Sequence, residues 1–204
     1  MANERVTTIA IRERNWFDAG YLKDGTPVQR KAYDVLTRYG LLAGLKRYDP
    51  AVVGTIPIGI DIEGSDLDIV CEAADLDAFE RSVRDAFGGF DRFSFTRKPA
   101  AQGRKERAVA RFACDGLPVE LYAESTPVAS QNGFVHMVVE ARLLELFGDR
   151  AKEAVLSLKR GGMKTEPAFA AYFGLAGDPY EALLKLAHYT DDRLLAALTI
   201  NDIK

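Results

Sequence analysis

The spacing of apolar positions changes several times along the chain, and each change marks a predicted element. From Pro27 to about Arg47, Val28, Ala32, Val35, Leu36, Tyr39, Leu42 and Leu45 recur at the intervals of one helix face. Gly40 and Gly44 weaken the second half of that helix, and Asp49-Pro50 ends it. The preceding Lys23-Asp24-Gly25-Thr26-Pro27 reads as a turn into a helix start. A short strand over 51–53 then leads into Gly54-Thr55. A strand over 66–72 is followed by a helix over 76–87, with Leu76, Phe79, Val83 and Phe87 on one side and Gly88-Gly89 at its end. Phe93 and Phe95 alternate with Ser94 and Thr96, which predicts a strand over 90–97. Another strand over 107–114 closes in Asp115-Gly116, a strong hairpin signal, and the strand carrying Glu120 follows directly.

Beyond Ser125 the pattern turns helical, over 133–147, 150–159, 165–173, 179–187 and 191–200. There is no internal repeat and no low-complexity segment. The succession predicts an α+β fold: a small mixed sheet with flanking helices and a helical C-terminal subdomain. The expected division is a core over 1–125, with an N-terminal arm over 1–25, and a helical part over 126–204. Trp16 and Phe17 are placed to pin the arm to the body.

Composition narrows the function classes. The 204 residues are 48% hydrophobic and 28% charged, enough apolar material for a sizeable core. The net charge of −3 gives the chain no nucleic-acid footprint, so no long polynucleotide acceptor is expected. Cys71 and Cys114 lie in apolar segments far apart, as buried thiols do. Two histidines and two scattered cysteines do not support a zinc site. With no apolar signal core at the N-terminus and no run of membrane-spanning length, a cytoplasmic location and no membrane partner are expected.

The candidate chemistry lies in Gly54-Thr55-Ile56-Pro57-Ile58-Gly59-Ile60-Asp61-Ile62-Glu63-Gly64-Ser65-Asp66-Leu67-Asp68-Ile69-Val70. Side chains two apart on a strand share a face, so Asp66 and Asp68 can meet on one divalent cation while Leu67 and Ile69 enter the core. Glu120, in Pro118-Val119-Glu120-Leu121-Tyr122, is a third acid between apolar neighbours on a strand. Three such carboxylates suit Mg²⁺ or Mn²⁺, hard cations that are shared with substrate phosphates. Asp61 and Glu63 read as solvated turn residues, and Ser65 as turn chemistry with a hydroxyl that could touch a phosphate.

Other motifs fail on the same stretch. A haloacid-dehalogenase-type phosphatase needs its apolar strand before the acids, and here Ile69-Val70-Cys71 follows them. An EF-hand loop beginning at Asp61 needs glycine where Asp66 stands. Gly161-Gly162-Met163-Lys164-Thr165 lacks the first glycine and the Gly-Lys adjacency of a Walker A loop.

Arg97, Lys98, Arg104, Lys105, Arg107 and Arg111 make a cationic hairpin region. Arg107 and Arg111 share strand parity and can face one cleft, where Arg107 would contact a triphosphate or acceptor. Lys164 precedes Pro167 at a helix start, where an anion can be held. His136 and Glu140, spaced i, i+4, read as a surface or cap pair, and His188 as surface.

A glycine and a small hydroxyl residue (Gly54-Thr55), about ten residues, then Asp66-Leu67-Asp68-Ile69, then Val119-Glu120-Leu121 on a later strand: this order resembles the polymerase-β-like nucleotidyltransferase superfamily. The resemblance covers roughly residues 27–125. That superfamily usually has Gly-Ser, and Thr55 keeps the hydroxyl while adding a methyl. Gly54-Thr55-Ile56-Pro57-Ile58-Gly59 and the later Lys164-Thr165-Glu166-Pro167-Ala168-Phe169-Ala170 look like an uncharacterised bacterial branch of it. The resemblance implies that Asp66, Asp68 and Glu120 hold two Mg²⁺, that Glu120 accepts the proton of an acceptor hydroxyl, and that Gly54 and Thr55 meet the nucleotide's phosphates. It implies transfer of a nucleoside monophosphate from a nucleoside triphosphate to a hydroxyl, with release of pyrophosphate, and the acidic net charge favours a small molecule or protein as the acceptor. The alternatives are a non-catalytic binding module on the same fold, or a metal-dependent nucleotide hydrolase.

Overall fold

A computed structural model describes residues 14–101 and 105–198. Expectations for residues 1–13, for Arg104 and for the end of the last helix lie outside these residues.

The arm enters through Trp16, which is buried and meets Tyr21 edge-on, and Phe17, which packs on Phe134. A 3₁₀ turn over Ala19–Asp24 leads to helix α1, Pro27–Arg38. Its start is fixed by a capping box. The Thr26 hydroxyl accepts the Gln29 amide, and Gln29 Oε1 accepts the Thr26 amide. The long helix expected to Arg47 is broken at Gly40, which takes the left-handed conformation at φ 60°. The chain restarts as the short α2, Leu41–Gly44, and a 3₁₀ turn over Lys46–Tyr48.

Five strands form one mixed sheet: β1 Ala51–Val53, β2 Leu67–Glu72, β3 Asp91–Lys98, β4 Arg107–Cys114 and β5 Leu117–Glu124. Their order is β1-β2-β5-β4-β3, and only β2–β5 is parallel. Helix α3, Leu76–Phe87, connects β2 to β3. At the β4–β5 hairpin, Asp115 and Gly116 both take positive φ, the turn that their sequence predicts. Beyond the sheet come α4 Asn132–Arg160, α5 Thr165–Phe173, α6 Pro179–Leu186 and α7 Asp191–Ala197. Gly148 interrupts α4 with non-helical backbone, φ 68° and ψ −162°, where the sequence predicts two helices.

The sheet's two faces differ because strand side chains alternate. Leu67, Ile69, Cys71, Val119, Leu121, Ala108, Ala110 and Phe112 bury one face against α1 and α3. Phe79 in α3 anchors this layer, meeting Tyr48 edge-on at 4.9 Å. A second cluster joins α4, α5 and α6 through Leu143, Val155, Phe169, Phe173 and Leu183. Ile60 from the loop after β1 belongs to that cluster, and Val53 and Val70 pack with Met137 and Ala141 of α4. The sheet's other face is therefore met by α4 along one side only. Both cysteines are free and buried. Among the described residues no helix is long and apolar enough to cross a membrane.

Candidate active site

The open part of that second face is the floor of a cleft of about 1130 Å³. Register builds it. Asp68 on β2 lies opposite Glu120 on β5, and Glu120 lies opposite Arg111 on β4. Two residues further on, Glu72, Glu124 and Arg107 make a second row. Between the rows stand Val70, Tyr122 and Val109, and the Tyr122 hydroxyl donates to Glu124 at 2.9 Å. The apolar neighbours of Asp68 and Glu120 are drawn to the core face, which leaves the acids to the cleft.

β2 begins at Leu67, so Asp66 sits just before the strand rather than on it. Gly54, Thr55, Ser65, Asp66, Asp68, Arg107, Glu120 and Lys164, all read from sequence as candidates, line this one cleft. Gly54 follows the last residue of β1 with φ 81°, and a Cβ there would stand 2.4 Å from Asp68 Oδ2. Only a glycine lets the backbone close on that carboxylate. Ser65 takes the turn role, its hydroxyl accepting the Ile62 amide at 3.0 Å.

The loop between Gly54 and Ser65 is held from both sides. Gln29 Nε2 donates to the Ile56 and Pro57 carbonyls at 2.8 and 3.1 Å. Lys159 Nζ, from the far half of α4, donates to the Ile60 carbonyl at 2.6 Å.

The floor carries an excess of negative charge. Burial first, then the charges of Asp66 and Glu120, push the Asp68 carboxyl up to about 8, with Arg111 pulling the other way. Glu120 is engaged by Arg111 at 2.5 Å. Among the described residues no three His, Cys, Asp or Glu side chains gather into a ready-made metal cluster. The donor set nonetheless fits a hard cation. Asp66 and Asp68 offer only carboxylate oxygens beside a glycine backbone, and Glu120 would join them on leaving Arg111.

The basic region does not act as one patch. Arg107 lines the cleft and donates to the Lys105 carbonyl at 3.3 Å, and Lys105 lines it too. Arg97 instead pairs with Asp77 and Glu106, away from the cleft. Lys164 is the residue before α5, and its neighbourhood forms part of the cleft wall.

Lys164 apart, the sequence did not assign residues of the helical wall to the site. His136 and Glu140 are not a surface pair: they are 6% and 3% exposed and line the cleft. His136 Nε2 lies 3.0 Å from the Tyr180 carbonyl, and Nδ1 lies 3.6 Å from Glu166. Burial, with the charge of Glu166, raises the Glu140 carboxyl well above its ordinary value, Lys159 opposing. Burial pulls the Lys159 ammonium down, against Glu140, Asp61 and Glu166. The available signal was a polar residue on an apolar stripe: Lys159 continues Ala151 and Val155, and Glu140 sits beside Met137 and Leu144.

The family described as "Domain of unknown function (DUF4269)" matches residues 34–186. No curated protein matches the chain. Among solved structures, the RNA terminal uridylyl transferase Cid1 matches with a TM-score of 0.50 at 12% identity, over 81% of this chain and 52% of that one. Cid1 poly(U) polymerase bound to Mg and 3′-dATP gives the same figures: 0.50, 12%, 81% and 52%. The GLD-2/RNP-8 complex matches at 0.44 and 16% identity, over 84% of this chain and 64% of that one. The chain thus spans about half the length of the Cid1 structures it matches. The likeness identifies the α+β architecture as the nucleotidyltransferase type.

Proposed function

The chain belongs to the DUF4269 family, and we propose that it is a nucleotidyltransferase, moving a nucleoside monophosphate from a triphosphate to a hydroxyl of a small molecule or protein. The observation that carries this reading is the row Asp68–Glu120–Arg111, with the Gly54 backbone closed against Asp68 on the cleft floor. In this reading residues 1–125 are the catalytic core and 126–204 the helical part that completes the cleft.

Each side chain has a task in an in-line displacement. The acceptor hydroxyl oxygen bonds to the α-phosphorus, the bond from that phosphorus to the bridging oxygen breaks, and pyrophosphate leaves with its electron pair. Glu120 takes the hydroxyl proton. Gly54 and Thr55 present a backbone amide and a hydroxyl to the phosphates. Ser65 orders the turn that brings Asp66 to the floor, and Arg107 and Lys164 offset the charge of the leaving group. Mg²⁺ or Mn²⁺ held by Asp66, Asp68 and Glu120 would supply charge neutralisation and acidify the acceptor hydroxyl. The oxygen-only donor set and the opposition to ionisation at Asp68, which a cation would relieve, support this.

Calorimetric titration with ATP, GTP, CTP and UTP tests the reading, with Mg²⁺ and with Mn²⁺, on the protein and on Asp66→Asn/Asp68→Asn. The expected result is metal-dependent binding of at least one triphosphate, lost in the double variant. A folded protein that binds none of them would overturn it and favour a non-catalytic module. Pyrophosphate or phosphate release with water as the only acceptor would favour the hydrolase.

A further inference from the structure

The helical wall of the cleft carries charge that the transfer reading does not use. Glu140, Glu166, Asp178 and Glu181 line it, against Lys159 and Lys164. Lys159 is already committed, with Nζ on the Ile60 carbonyl. Asp178 caps α6 by accepting the Glu181 amide at 3.0 Å. Glu140 is different. It is 3% exposed and lines the cleft, and the opposing charge that reaches it is that of Lys159, whose Nζ is already on the Ile60 carbonyl. Glu166 is barely better served. His136 Nδ1 lies 3.6 Å from it, outside hydrogen-bonding distance, while His136 Nε2 donates to the Tyr180 carbonyl.

Burial and the charge of Glu166 hold Glu140 against ionisation, so the pair, turned to one cleft, gains most from a group that brings positive charge. A neutral polyol would leave Glu140 held against ionisation. A phosphate would be repelled. An ammonium group supplies both the hydrogen-bond donors and the opposite charge.

We propose that Glu140 and Glu166 form an ammonium-binding subsite on the helical wall of the cleft, and that the acceptor is a small, amine-bearing molecule whose hydroxyl faces Glu120. The acceptor part rests on the transferase reading; the ammonium subsite stands without it. The partner class is a cationic amino alcohol or amino sugar.

The test is calorimetric titration of the folded full chain, without nucleotide, using glucosamine and 1,3-diamino-2-propanol against glucose and glycerol. The amines bind and their neutral counterparts do not. Glu140→Gln keeps volume and shape and weakens amine binding about tenfold, the loss of one charge-assisted contact. Glu166→Gln weakens it independently. Neither variant lowers Tm, which a merely structural carboxylate would do. Equal binding of amine and neutral probe overturns the subsite, as does unchanged amine binding in both variants. Amine binding lost in Asp66→Asn/Asp68→Asn but kept in Glu140→Gln places the amine on the sheet wall and also overturns it. Displacement of the amine by adenosine reassigns the carboxylates to a nucleotide base and overturns it too. Triphosphate binding without amine binding removes this inference alone; amine binding without triphosphate binding removes the transferase reading alone.

Discussion

At Asp68, burial and the neighbouring charges of Asp66 and Glu120 together oppose ionisation, and the consequence can be read in solution. In the unfolded chain this carboxyl ionises near its ordinary 3.8, and in the fold at about 8. Between those values the folded protein holds a proton that the unfolded chain has released. Stability therefore falls as pH rises from about 4 to about 8, by at most about 1.4 kcal/mol per pH unit for each such proton. Glu140, raised by burial, adds a slope of the same sign. Denaturant unfolding across this range should show the decline in the metal-free protein. Asp68→Asn should flatten it in part, and Mg²⁺ should flatten it in the wild type. A wild-type slope matched by Asp68→Asn would remove Asp68 as its source. Asp68 and Glu120 could be placed from sequence because period-two alternation puts a charge between apolar neighbours only where one strand face is open, whereas Asp66 reaches the cleft from the turn before β2. Glu140 could not be. On a helix a carboxylate beside an apolar stripe reads as surface until the opposite wall of the cleft is known, and that wall is the sheet.

Elements hold the cleft together through a few polar side chains with two tasks. Gln29 closes the capping box of α1 with its Oε1 and, with Nε2, ties the Gly54–Ser65 loop through Ile56 and Pro57. Gln29→Ala should therefore cost about 1–2 kcal/mol by denaturant unfolding, one cap contact plus contacts to buried carbonyls. It should also speed amide exchange in residues 56–60 and weaken triphosphate binding. An equal loss of stability with unchanged exchange in the loop would confine Gln29 to capping. Most elements were legible because each carries its own boundary signal: α3 falls on residues 76–87 as its spacing predicts, and the β4–β5 hairpin turns at Asp115-Gly116. The long helix to Arg47 failed for a local reason. Its apolar spacing runs on past Gly40, but a left-handed glycine redirects the chain into a separate turn that seats Leu41 and Leu45 in the core. Periodicity records which residues are buried, not whether one axis carries them all.

For the molecule as a whole, the distribution of charge bears on what can enter the cleft. The chain carries −3 overall. In the cleft, Glu63, Asp66, Asp68, Glu120 and Glu124 on the sheet side are answered by Lys105, Arg107 and Arg111, and the helical wall adds four acids against Lys159 and Lys164. Arginines elsewhere are paired rather than arrayed: Arg38 with Asp115, Arg84 with Glu80, Arg97 with Asp77 and Glu106, and Arg142 with Asp191. Of the basic residues that do reach the cleft, Arg111 is engaged by Glu120 at 2.5 Å, which leaves Lys105 and Arg107 on the sheet side. Each neutralised phosphate of a bound single strand contributes a slope of about −0.7 to the dependence of log K on log salt, so a polynucleotide acceptor would need several such contacts. The expected outcome is that labelled oligouridine and oligoadenosine show no saturable binding by fluorescence anisotropy at physiological salt, with or without Mg²⁺. They should also fail to displace a bound triphosphate. Saturable binding with a steep salt dependence would require a cationic path that these ion pairs give up when a strand arrives. The double variant Lys105→Ala/Arg107→Ala would then locate it: loss of oligonucleotide binding there would make the hairpin the strand's entry and turn the search for an acceptor from amines to polynucleotide ends.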